Sequence, residues 1–168
     1  MDILPSEATS APAHAVSQPV AGVVAGLVGG AAYLVAQVSF TGLAGSGGAA
    51  PLQRIAAMLM GPDTAPPPTG LNFTVFGMAM IVHFSLAMAY GRLIGALVWR
   101  RRHGAATLVG AAIGLALFAL NFGWIAPLAF PWFSESLVPV TIANHLLFGA
   151  LTAAVCVALR DRGAPRRS

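Results

Sequence analysis

Two histidines are the residues best equipped for chemistry in this chain. His83 and His145 each stand inside a long apolar run. An imidazole can ligate a metal, move a proton, or donate a hydrogen bond to a carbonyl. His83 lies about 12 residues from the start of its run and His145 about 8 from the start of its own. At 1.5 Å per residue these depths are roughly 18 Å and 12 Å, close to a turn of one another. Two histidines on separate helices at similar depth form the arrangement that grips a b-type haem, one imidazole on each side of the iron. The alternative is structural. Each imidazole donates to a backbone carbonyl, or to an asparagine on the next helix, and pins the packing.

The neighbours bear on both readings. Thr141, His145, Gly149, Thr152 and Cys156 fall at helical spacing on one stripe, and Phe76, His83 and Tyr90 recur every seven residues. Gly149, one turn from His145, leaves room for a flat ring in the haem reading. Asn121, Asn144, Thr141 and Tyr90 make a candidate buried polar cluster, because polar groups in lipid need partners. A quinone or other small-molecule pocket among these groups is a further possibility. His103 follows three arginines and reads as solvated, and His14 lies in a tail. Cys156 is the single cysteine and reads as a small apolar filler.

No catalytic residue is assigned. The chain has no H-E-x-x-H, Walker loop or G-x-S-x-G pattern, and Ser134-Glu135-Ser136 near His145 has no spacing logic for hydrolysis. The carboxylates Asp2, Glu7, Asp63, Glu135 and Asp161 all fall in loops or tails. Ion coupling through a buried carboxylate, as in secondary carriers, is therefore not expected within one protomer. No metal site and no cofactor are expected. Haem b on His83 and His145 is the alternative.

The elements that position these groups follow from composition. Of 168 residues, 57% are hydrophobic and 8% charged, with a mean hydropathy of +0.79. Soluble domains carry about 25% charged residues, so the chain lacks the charge to cover a water-facing surface. Lipid is the solvent that suits it. The basic balance is all arginine and sits at the ends of apolar runs, which fits membrane orientation and not a nucleic-acid-binding face.

An all-α fold follows: an integral membrane four-helix bundle of one domain, 19–159, between a flexible N-terminal tail, 1–18, and a basic C-terminal tail, 160–168. The tail has Asp2 and Glu7 but no basic residue before the first run, unlike a secretory signal. Spans are predicted at about 20–40, 71–99, 105–128 and 138–159, each near the roughly 20 residues that cross a bilayer core. Gly22, Gly26 and Gly30, then Gly91 with Gly95, then Gly110 with Gly114, mark faces for close helix approach. A short interfacial helix is predicted at about 51–60 between spans one and two. Leu52, Ile55, Ala56 and Leu59 form its apolar side, with Gln53 and Arg54 off it. Pro66-Pro67-Pro68 reads as a stiff connector, and Phe130-Pro-Trp-Phe133 as an aromatic belt.

Arginine marks the cytoplasmic side. Arg100, Arg101, Arg102, Arg160, Arg162, Arg166 and Arg167 share one side, against Arg54 alone on the other. Both termini are predicted cytoplasmic and both longer loops outside.

Several short stretches carry a resemblance: Arg54-Ile-Ala-Ala with Gly61, His83-Phe-Ser with Tyr90-Gly91, Asn121-Phe122-Gly123, Phe130-Pro-Trp-Phe133, and His145 with Phe148-Gly149. Across roughly 20–157 the chain resembles a group of small four-span bacterial membrane proteins of unknown function, often labelled "sodium:proline symporter". Sodium–proline symporters proper are several times longer and have a broken-helix fold that this chain lacks. The resemblance implies a bacterial inner-membrane protein with His83 and His145 inside the pattern, and supplies no activity. The expected role is a non-catalytic accessory or structural subunit of a larger membrane complex. Its partners are the bilayer and other membrane subunits or further copies, reached through the glycine faces and the outer aromatic loop. The alternatives are a b-haem electron carrier and an oligomeric small-solute carrier or channel.

Overall fold

Charge-poor runs of this length satisfy their backbone in lipid only by coiling into helices, and the computed structural model is helical over most of its described residues, 16–45, 47–64, 72–133 and 138–162, with no strand among them. The tail before Val16, the Pro66–Pro68 connector, Ser134–Ser136 and the tail beyond Arg162 lie outside them. The elements are α1 (Gln18–Leu43), α2 (Ala50–Met60), a 3-10 turn (Pro62–Thr64), α3 (Phe73–Val98) and α4 (His103–Leu120). A π-helical turn (Asn121–Ile125), α5 (Ala126–Ala129), a second 3-10 turn (Pro131–Phe133) and α6 (Val138–Arg162) complete the order. Four helices are long and apolar enough to cross a membrane: Gln18–Leu43, Phe73–Val98, His103–Ala129 and Pro139–Arg162.

The ends follow local chemistry. Pro19 and Pro51 occupy the first turns of α1 and α2, where a missing N–H costs nothing. The Val75 N–H donates to Asn72 Oδ1 at 2.9 Å, capping α3. Gly61, at φ 97°, ends α2 in a conformation only glycine takes freely. At the basic end, Arg160 donates to the carbonyls of Trp99 and Arg101, which lie in the turn that follows α3. Asp161 meets His103 at 3.0 Å beside the start of α4, so His103 is exposed yet paired.

Glycine sets the packing. Gly22, Gly26 and Gly91 lie backbone to backbone, and a Cβ on Gly22 would come within 3.0 Å of Arg92 Cα. Gly110, Gly114 and Gly149 do the same between α4 and α6, where any side chain on Gly110 or Gly114 would run into the α6 backbone. Without a hydrophobic driving force in lipid, such close approach is what holds helices together. The order around the bundle is α3, α1, α6, α4, with α1 against α3 and α6, and α6 against α4. The ring does not close, because α3 and α4 barely touch although a short turn joins them. Large apolar side chains such as Ile81, Leu97, Leu108 and Trp124 point outward, as lipid-facing surfaces do.

Three expectations change. The third span is not a single regular helix. Pro127 cannot donate to the carbonyl four residues back and its ring crowds it, and the chain widens just upstream so that the Ala126 N–H reaches Asn121 O. The buried side of α2 is Leu52, Gln53, Ala56 and Ala57, whereas Leu59 is 66% exposed. The small Ala56 and Ala57 let α2 seat on Val75 and Ala79 of α3, which turns Gln53 inward. Gly149 leaves no room for a flat ring, because the α4 backbone at Gly110 and Gly114 fills that space.

Candidate functional site

The gap between α3 and α4 is a cavity of about 480 Å³. α1 and α6 form its back wall, through Tyr33 and Gln37 and through Thr141, His145 and Phe148. α3 supplies His83, Ala87 and Tyr90. The far wall is Leu117, Asn121, Phe122 and Ile125, and α2 lines one end with Pro51, Arg54, Ile55, Met58 and the exposed Leu59. The mouth opens sideways on the lipid-facing surface, where the lining residues Ile81, Ser85, Leu86 and Ile125 are exposed.

Of the predicted polar groups, His83, Tyr90, Asn121, Thr141 and His145 line the cavity and Asn144 does not. His83 Nε2 lies 2.8 Å from Gly30 O and His145 Nδ1 lies 2.8 Å from Thr141 O. A carbonyl only accepts, so both nitrogens carry the proton. Each histidine ties backbone rather than an asparagine. Tyr90 Oη–H donates to Asn121 Oδ1 at 2.8 Å, the one side-chain bridge across the α3–α4 gap among the described hydrogen bonds. Asn144 donates to Gln37 Oε1 at 2.6 Å and is buried behind the cavity wall. Phe76 shares the α3 sequence spacing but is exposed to lipid, away from the cavity.

The same geometry tests the haem arrangement. Tyr33 stands against both imidazoles, its ring 5.8 Å from His83 and 5.1 Å from His145. Phe118 and Phe122 pack edge-on against His145 at 5.6 Å and 5.7 Å. His83 has its Nε2 committed to Gly30, and Tyr33 packs against both rings. A bis-histidine haem does not fit these side chains as placed. Among the described residues, no three His, Cys, Asp or Glu side chains gather as a metal site. Cys156 is buried beside Ala21 and Ala25, remote from the cavity.

Tyr33, Gln37, Arg54 and Phe122 were not anticipated as site residues. A signal for the α1 pair exists, since Gly26, Gly30, Tyr33, Gln37 and Thr41 continue one helical stripe. No known protein family, curated protein or solved structure matches the chain.

Proposed function

We propose that this chain is a non-catalytic multi-pass protein of a bacterial inner membrane, with both termini cytoplasmic, that holds a small apolar or amphiphilic molecule between α3 and α4. One observation carries the reading: the α3–α4 seam is left open around an aromatic-lined cavity with a few convergent polar groups. Its volume of about 480 Å³ lies within the roughly 300–1,000 Å³ of small-molecule sites. The lateral mouth suits a molecule that partitions into lipid. The arginines at one end of the bundle, Arg100, Arg101, Arg102, Arg160 and Arg162, support the orientation.

The accessory-subunit role is retained in modified form. The glycine faces are spent inside the bundle, so contact with a larger complex falls to the outer aromatic rim around Trp124 and Leu128, which are exposed.

Native mass spectrometry of the full chain, released from a mild detergent, tests the ligand. The expected result is a discrete retained small-molecule mass, absent from Ser85→Trp, whose new indole fills the mouth from an exposed position. A wild-type spectrum with no retained mass, or one in which both proteins carry the same lipids, would sink the reading.

A further inference from the structure

We infer that the molecule held between α3 and α4 is an anionic amphiphile, its acidic group at Arg54 and its acyl chain passing through the mouth into the bilayer; this rests on the ligand-binding reading above. Arg54 lies on α2 and lines the end of the cavity away from the basic turn. It is half-buried, and among the described residues it forms no ion pair: the two present both involve Asp161 at the opposite, basic end. Asp63 is exposed and Glu135 lies outside the described residues. A guanidinium is charged at all ordinary pH, and leaving it partly desolvated without an anion is costly.

The rest of the lining selects for the same class. Among the described residues no carboxylate lines the cavity, so none of them would repel an acid. Gln37, Tyr90 and Asn121 are neutral. His83 and His145 each have one nitrogen bound to a carbonyl. The mouth is walled by Ile81, Leu86 and Ile125 with the small Ser85 among them, a mainly apolar path to the lipid that suits an alkyl chain better than a polar solute. A planar guanidinium binds a carboxylate or a phosphate in the same two-pronged way, so both a fatty acid and a single-chain phospholipid carry the required group.

Thermal unfolding of the full chain in phosphatidylcholine nanodiscs, titrated with palmitate, lysophosphatidylglycerol or hexadecanol, tests this. The expected result is stabilisation by one or both of the anions at concentrations on the order of tenfold lower than by hexadecanol, the scale of one charge-assisted pair. Whichever anion acts at the lower concentration identifies the source. Arg54→Gln should shift the anion response to that of hexadecanol, Arg54→Lys should keep most of it, and Ser85→Trp should abolish the response to all three. Equal response to hexadecanol and the anions in wild type, or an anion response unchanged in Arg54→Gln, would overturn the inference while leaving a neutral ligand in place. No response to any of the three would remove this inference, and the native mass spectrum would then decide the cavity reading separately.

Discussion

Tyr90 and Asn121 show what single side chains contribute at this site. Their hydrogen bond spans the seam that glycine packing leaves open. Interhelical hydrogen bonds in membranes average about 0.6 kcal/mol and reach about 1.7 kcal/mol. Tyr90→Phe should therefore lower stability by roughly that amount, read from unfolding in mixed micelles titrated with SDS, and should leave the helical content unchanged. A loss several times larger would mean that the hydroxyl has partners besides Asn121. Some of this chemistry was legible in the sequence. His83, His145, Asn121, Thr141 and Tyr90 do converge, because buried polar groups on neighbouring spans must find one another. The partners were not legible. Backbone acceptors such as Gly30 O have no signature in side-chain type, and Tyr33 and Gln37 sit on a helix whose strongest sequence signal is its glycine spacing.

Among the elements, the helices that pack through glycine behave differently from those that do not. Gly91 meets the α1 backbone at Gly22 and Gly26, so Gly91→Leu should separate α1 from α3 and cost about 1–3 kcal/mol or more. Gly77, on the same helix, has open space where a Cβ would go. Gly77→Ala should be neutral, or stabilise by up to about 1 kcal/mol through helix propensity. The same SDS titration reads both, and equal effects at the two positions would contradict the packing described. The four spans were legible because hydropathy and four-residue glycine spacing are physical consequences of lipid and close approach. The π turn was not, since Pro127 permits several ways of relieving its clash and only tertiary contact chooses among them. The inward side of α2 differs from its apolar stripe for a related reason. Hydropathy favoured Leu59, but the fit of Ala56 and Ala57 against α3 decided the rotation and buried Gln53.

For the whole molecule, orientation and the open seam are the claims that matter. Reporter fusions after Ser168 should be active only with a cytoplasmic reporter, and fusions within residues 134–137 only with an external one. The opposite pattern would invert the bundle and place Arg54 on the cytoplasmic side. The open seam is what the functional reading depends on, and photo-crosslinking in native membranes addresses it most directly. A photoreactive side chain at Leu86 stands at the cavity mouth, while one at Leu97 on the same helix faces lipid away from it. A resident ligand predicts one dominant small-molecule adduct at Leu86 and the mixed profile of bulk lipids at Leu97. The same mixed profile at both positions would show that nothing but bilayer fills the space between α3 and α4.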